Sequence, residues 1–222
     1  MARARASRSI PKSVSPPGRP RIFAEGKHDY TYLSVLAESG VILPYTKGTK
    51  LQASEIKHRI EAIKKDLIND AIDCVIWIVD GGDQHIKKSK DFINFYKEWL
   101  GKKDGEWKSL HILINAPCLE YWFLLHRTDP PLKANTSIPI NFKSASDLLE
   151  SSEFKKHCKE GKGANLVRNI AINKTERKLA IKRAKQLGDQ LINLADKNLF
   201  DVARAELYQV FKLMAEATPI SR

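Results

Sequence analysis

The stretch that decides the fold is DCVIWIVDGGDQH, residues 73–85. Its apolar run, Val75 to Val79, is continuous, which indicates a strand buried on both faces, as in a parallel sheet. The run ends in two acids, Asp80 and Asp83, with two glycines between them. Because glycine tolerates backbone angles that other residues avoid, a sharp turn is predicted at this point. Both carboxylates are therefore expected at the carboxyl edge of a sheet, where open α/β folds bind ligands.

Strand and helix patterns alternate on both sides of this stretch. Strands are predicted over 21–25, 41–43 and 110–115. Between them lie amphipathic helices, one of which carries apolar residues at helical spacing. The alternation predicts an α/β fold, with a mostly parallel, Rossmann-like sheet and helices on both faces. In that helix the apolar positions are Ile56, Ile60, Ile63 and Leu67, and Ser54 is a candidate N-cap.

Four acids are expected to meet at one edge of this sheet. The right-handed crossover rule places the carboxyl ends of the three main strands at one edge of the sheet. The acids at or just after these strand ends are Glu25, Asp80, Asp83 and Glu120. Acids gathered in this way repel each other unless a cation lies among them, and Mg²⁺ prefers carboxylate oxygens. Mg²⁺ or Mn²⁺ held there could orient water and stabilise the leaving oxygen of a phosphodiester. The pattern favours metal-assisted phosphoryl chemistry.

Each of these residues also has a structural interpretation. Glu25, before a glycine and a helix, could serve as a capping acid. Asp80 and Asp83 could serve as turn formers, a role in which aspartate is common. Cys118 is interpreted as a small core residue, and His126 as a packing or capping histidine. Glu120 lies in an apolar segment, where an unpartnered carboxylate would be costly.

The charge of the chain points to a polyanionic partner. The chain has 222 residues and a formal net charge of +12. Residues 1–21 hold six Lys or Arg and no acid, and residues 151–190 hold eleven Lys or Arg and four acids. Basic segments of this kind bind phosphate backbones by releasing counterions. Nucleic acid is therefore the predicted partner.

Three regions are predicted along the chain. Residues 1–20, rich in Arg, Ser and Pro, are predicted to form a disordered basic arm. The α/β core is expected over 21–127. Residues 128–222 are expected to form a linker and a helical, basic C-terminal region that packs on the core. Two amphipathic stripes mark that region: Ala180, Ala184, Leu187, Leu191 and Leu194, then Ala203, Leu207, Val210, Phe211 and Met214.

Several classes of protein are disfavoured. The three cysteines lie far apart without a CxxC pair, so neither a zinc knuckle nor a disulfide framework is expected. No apolar run approaches the roughly 20 residues of a membrane span. The basic N-terminus lacks the apolar segment of a secretory signal. A soluble cytoplasmic protein is the expectation.

Three blocks, in order, resemble the RloB-like family, a branch of the Toprim-type α/β domains. The first, FAEGKHDY over 23–30, resembles the family's strand–Glu–Gly–helix opening. The second, WIVDGGDQH over 77–85, is similar to its apolar strand ending in Asp-x-Asp and a nearby His. The third, NAPCLEYWFLLH over 115–126, closely matches the family's Asn-Pro-Cys-Phe-Glu-x-Trp-Leu-Leu-His block.

The resemblance implies a Toprim-like sheet whose acids bind Mg²⁺ or Mn²⁺ and cleave DNA or RNA, tRNA included, in anti-phage defence or abortive infection. Glu25 would be a ligand or general base, Asp80 and Asp83 ligands, and Glu120 a supporting ligand or base. An ATPase partner is implied to be a separate protein, since the chain has no GxxxxGK[ST] loop. The residues expected to contact nucleic acid are Lys27, His85, Lys87, Lys88 and Lys162.

The chain departs from the family pattern at one point. The family's acids are one residue apart, whereas Asp80 and Asp83 are separated by two glycines. Side chains at i and i+3 of a strand point to opposite faces, so the use of Asp83 depends on a bend at the glycines. The departure also keeps a second hypothesis open, a non-catalytic nucleic-acid-binding or adaptor subunit of a defence complex.

Overall fold

A five-stranded sheet forms the centre of the protein. The computed structural model describes residues 19–48, 56–69, 71–127, 142–152, 155–156, 163–189 and 203–216. The strand order is β2-β1-β3-β4-β5, and the first four strands are parallel while β5 runs antiparallel to β4. The strands are β1 Arg21–Phe23, β2 Thr46–Lys47, β3 Val75–Asp80, β4 Leu110–Ala116 and β5 Arg204–Ala205.

Helices cover both faces of the sheet, which confirms the predicted α/β, Rossmann-like architecture. One face packs against α2 and α4, and the other against α1, α5 and the C-terminal helices. No helix in these described ranges is both long and apolar enough to cross a membrane. The helices are α1 Lys27–Glu38, α2 Ile56–Leu67, α3 Gln84–Lys88, α4 Lys90–Lys102, α5 Leu119–Leu124, α6 Phe142–Glu150, α7 Gly163–Ile172, α8 Lys174–Asp189 and α9 Gln209–Glu216.

Strand β3 owes its continuous apolar sequence to burial on both faces. Val75, Trp77 and Val79 point into the core under α2 and α4. Ile76 and Ile78 point into the core on the opposite face. Because side chains alternate along a strand, both sets must be apolar, and the predicted buried strand is confirmed.

The predicted strand at 41–43 is wrong. The backbone N–H groups of Val41 and Ile42 both donate to the carbonyl oxygen of Leu36, at 2.8 and 3.4 Å. These amides end α1 instead of pairing with a neighbouring strand, because the last carbonyls of a helix need donors. The strand that pairs with β1 comes later, at Thr46–Lys47.

The second C-terminal stripe is not one helix. Its residues span β5, a 3₁₀ turn at Glu206–Tyr208 and α9. Polar side chains fix the turn against β4: Glu206 Oε2 accepts the N–H of Ile114 at 2.7 Å, and Asn115 Oδ1 accepts that of Leu207 at 3.2 Å. All the same, Ala203, Leu207, Val210 and Met214 are buried as the stripe predicted.

Other predictions fall on residues outside the described ranges. They include residues 1–18 of the arm, residues 128–141 of the linker, Ser54, Lys162, Leu191 and Leu194. The boundaries of the three predicted regions therefore stay predictions.

Candidate functional site

Five carboxyl groups lie around the carboxyl ends of β1 and β3. We call this group the acidic edge: Glu25, Asp29, Asp80, Asp83 and Glu120. Burial first, and then the charges of Glu120, Glu25 and Asp29, together raise the pKa of Asp80 to about 8. Since these charges act on one carboxyl, four of the five groups are electrostatic neighbours, and three of them are residues that the sequence placed together.

Glu25 follows β1 and is held by a buried arginine. Its Oε1 accepts a hydrogen bond from Arg59 Nη1 at 2.8 Å, within an ion pair. Arg59 comes from α2, is 1% exposed and lies with its guanidinium 5.9 Å from the Trp77 ring centre. Burial raises the pKa of Glu25 to about 7, although Arg59 opposes the shift. Glu25 can therefore exchange a proton near neutral pH.

Asp29 fixes the backbone beneath Glu25. Its Oδ2 accepts the N–H groups of Glu25 and Gly26, at 3.1 and 3.0 Å. Burial raises the pKa of Asp29 to about 6, against the effect of these two donors. The carboxyl lies in the first turn of α1, where a negative charge is favoured by the helix dipole.

Gly81 and Gly82 lie where the neighbouring backbone leaves no room for a side chain. A Cβ on Gly82 would overlap the carbonyl oxygen of Pro117, and one on Gly81 would lie 2.8 Å from the Cβ of Ala116. The expectation of unusual backbone angles is wrong here, since the positive-φ glycine among the described residues is Gly40. The turn after β3 thus packs directly on the connection between β4 and α5.

Beyond that turn, Asp83 caps the next helix. Its Oδ1 accepts the N–H of His85 at 2.7 Å, at the start of α3. It still acts on the acidic edge, since its charge raises the pKa of Glu25. Asp80 Oδ1 accepts the N–H of Gly82 at 3.3 Å. The bend therefore returns Asp83 to the vicinity of Glu25, with one oxygen engaged by the helix cap.

Glu120 lies at the rim of the site and not in the core. Its side chain is 27% exposed, and Oε1 is 3.6 Å from His28 Nδ1. Burial, and next the charges of Glu120 and Asp80, raise the pKa of the Cys118 thiol. A thiol with a raised pKa is a poor nucleophile, in keeping with its predicted structural role.

His126 belongs to the core, as the sequence predicted. It is 1% exposed, with Nδ1 donating to the Trp122 carbonyl at 3.1 Å and the Tyr32 hydroxyl donating to Nε2 at 3.3 Å. Burial lowers its pKa to about 4, so it is neutral at physiological pH.

The predicted nucleic-acid contacts are placed at two positions. Lys27 is exposed at the first residue of α1, directly after Glu25 and Gly26. His85, Lys87 and Lys88 lie on α3, which follows Asp83, and His85 and Lys88 are exposed. Both positions adjoin the acidic edge.

As the side chains stand, no three His, Cys, Asp or Glu residues within the described part of the chain group together to hold a metal ion. One oxygen of each of three acids is already engaged: Glu25 Oε1 by Arg59, Asp80 Oδ1 by the N–H of Gly82, and Asp83 Oδ1 by the cap of α3. In this arrangement the carboxyls of Glu25 and Asp80, with raised pKa values, can carry protons near neutral pH, and Glu25 pairs with the cation of Arg59.

Arg59 and Asp29 are residues that the sequence interpretation missed as members of the site. Arg59 lies three residues after Ile56 and four before Ile63, both buried on the same face of α2. A cation inside an apolar helical stripe was the available signal, because a buried arginine requires a partner. Asp29 occurs in the sequence only as part of the FAEGKHDY block, three residues after Gly26.

The fold and the acidic edge define an α/β protein of Rossmann-like topology, with a carboxyl cluster at the carboxyl edge of its sheet. The family model for RloB-like proteins matches residues 21–214, and the chain belongs to the RloB-like family. No curated protein and no solved structure matches the chain.

Proposed function

We propose that this protein is a metal-dependent nuclease of Toprim type that hydrolyses phosphodiester bonds of DNA or RNA. The observation that carries the proposal is the acidic edge, in which Asp80 is surrounded by three other carboxyls and has a pKa of about 8. A raised pKa at a group with specific charged neighbours is typical of functional sites. The net charge of +12 supports a phosphate-rich substrate.

The donor set suits a hard divalent cation. Carboxylate oxygens are preferred by Mg²⁺ and Mn²⁺, and a cation would offset the burial and the repulsion that together favour the protonated form of Asp80. Asp80, Asp83 and Glu25 would hold it, with Glu120 in support. When bound, the ion would activate water and stabilise the leaving oxygen of the phosphodiester.

The remaining chemistry belongs to the side chains themselves. Glu25, with a pKa of about 7, is suited to take a proton from an attacking water near neutral pH. Arg59 holds the Glu25 carboxyl through Oε1, and Asp29 holds its backbone N–H. Lys27, His85, Lys87 and Lys88 flank the edge and would bind substrate phosphates.

The cellular setting is part of the same proposal. The family resemblance supports a cytoplasmic role in anti-phage defence, with a separate ATPase partner restraining cleavage. The chain itself has no GxxxxGK[ST] loop.

Cleavage assays with DNA, RNA and tRNA in Mg²⁺ or Mn²⁺ test the proposal. Glu25→Gln and Asp80→Asn should each lower the cleavage rate by about 10²–10⁴-fold, the usual loss of a general base or charge-stabilising group. The matched controls are Glu61→Gln and Asp104→Asn, exposed acids outside the site. Equal cleavage by the site variants and the wild type would refute the assignment.

A second function, a non-catalytic nucleic-acid-binding or adaptor subunit, is favoured by one observation. The Glu25 and Asp83 carboxyls are engaged by Arg59 and by the α3 cap. This function predicts salt-sensitive nucleic-acid binding that persists in EDTA and in both site variants, with no cleavage under any metal.

A further inference from the structure

An open cleft lies beside the acidic edge. Its volume is about 590 Å³, and its walls come from α1, the end of β2 and α7. Glu25 lines one end, so the cleft and the acidic edge share a residue. Anything bound in the cleft therefore lies next to the proposed reacting carboxyl.

The cleft gathers positive charge from three separate elements. Lys27 comes from α1, Lys47 from β2 and Arg168 from α7, and all three side chains are exposed. Within the described residues, none of the three forms an ion pair with a carboxylate. Of the two acids that line the cleft, Glu25 is ion-paired with Arg59, and Glu38 lies at the far end of α1.

One wall of the cleft is aromatic. Tyr30 is held through its hydroxyl, which accepts the N–H of Ala24 at 3.1 Å. Lys47 Nζ lies over the Tyr30 ring, 5.1 Å from its centre. Cations that follow a phosphate backbone beside an aromatic ring are the common elements of sites for unpaired nucleotides.

The volume of the cleft favours an unpaired strand over a paired one as its ligand. A cleft of about 590 Å³ lies within the range of small-molecule pockets, roughly 300–1,000 Å³. A cavity of this size can enclose one unstacked base with its sugar and phosphate, whereas a base paired within a duplex is not free to enter it.

We propose that this cleft binds unpaired nucleotides of the substrate strand, with Lys47 and Arg168 contacting phosphates beside the scissile bond. The inference rests on the proposed nuclease function and narrows its substrate class to single-stranded segments. The free strand is held on the α1 side of the sheet and enters the acidic edge past Glu25.

The test is equilibrium binding of fluorescent oligonucleotides of about 16 nucleotides, within the usual site sizes for single strands. EDTA is present, so that cleavage plays no part. The wild type is compared with the double variant Lys47→Ala/Arg168→Ala. The matched control, Lys97→Ala/Lys108→Ala, removes two exposed lysines from α4 and from the turn before β4.

The cleft variant should bind single strands on the order of tenfold more weakly. Its salt slope should fall by about 1.4, which is two phosphate contacts at about 0.7 each. The control and the far-UV circular dichroism of both variants should match the wild type. A charge-reversed variant, Lys47→Glu/Arg168→Glu, should weaken binding further.

Three results would overturn the inference. The first is unchanged single-strand binding in both cleft variants. The second is a duplex of the same sequence that binds as tightly and with the same sensitivity. The third is a free mononucleotide that competes as well as the oligonucleotide, which would make the cleft a nucleotide-binding site. All three leave the cleavage tests of Glu25 and Asp80 untouched, so the two proposals fail separately.

Discussion

Replacing Asp80 with asparagine should stabilise the protein while strongly lowering its proposed activity. Asp80 is half-buried beside Glu25, Asp29 and Glu120, and its pKa is about 8. The folded state thus keeps a proton that the unfolded chain, with a pKa near 3.8, has released. Asparagine keeps an oxygen that can accept from Gly82 and carries no charge at any pH.

The size and sign of the effect follow from linkage. With the folded pKa above the unfolded one, the contribution of Asp80 to stability is greatest below about pH 4 and falls as the pH rises to about 8. One pKa unit corresponds to about 1.4 kcal/mol, so the loss over this window is on the order of 5 kcal/mol. Asp80→Asn removes the loss. It should match the wild type near pH 4 and be several kcal/mol more stable near pH 8.5.

Urea denaturation followed by circular dichroism, at several pH values between about 4 and 9, measures this difference. Asp104→Asn, at an exposed acid, is the control and should follow the wild type throughout. Adding Mg²⁺ near pH 8.5 should stabilise the wild type and not Asp80→Asn, because only a ligand bound to the folded state raises stability. A variant equal to or less stable than the wild type near pH 8.5 would refute the reasoning.

Two further predictions concern the support of the site. Gly82→Ala should lower the free energy of unfolding by about 1–3 kcal/mol or more, because its Cβ would overlap the rigid backbone of Pro117. Gly101→Ala, in open space within α4, should raise it by about 0.5–1 kcal/mol in the same thermal or urea assay. Arg59→Met should cost about 3–5 kcal/mol by leaving Glu25 unpaired, and adding Glu25→Gln should recover part of that loss. An additive double mutant would show that the ion pair contributes nothing.

The central strands could be predicted from the sequence because their pattern is local. An unbroken apolar run over 75–79 has few alternatives to a strand buried on both faces, and a similar run precedes Asn115. Once parallel strands are given, chain connectivity places Glu25 and Asp80 at one edge. The same reasoning failed at 41–43, where the amides bond to the preceding helix.

Other features depend on partners that are distant in sequence. The antiparallel strand β5 pairs Ala205 with Asn115, and its turn is fixed by Glu206 on Ile114, at a separation of 92 residues. The apolar stripe over 203–214 correctly predicted which side chains are buried. A pattern of buried positions alone, however, does not distinguish a helix from a strand followed by a turn.

For the acidic edge, the sequence determined that Glu25 and Asp80 lie at one edge of the sheet, because the α/β alternation places the carboxyl ends of parallel strands together. Only the tertiary structure decided which partners these carboxyls have and how strongly they hold a proton. Arg59 reaches Glu25 from 34 residues away, and the turn at 81–82 packs on Pro117, which returns Asp83 to the site. A carboxyl's pKa depends on the burial and charges around it in space, so Asp80 acquires its raised value only once the chain has folded.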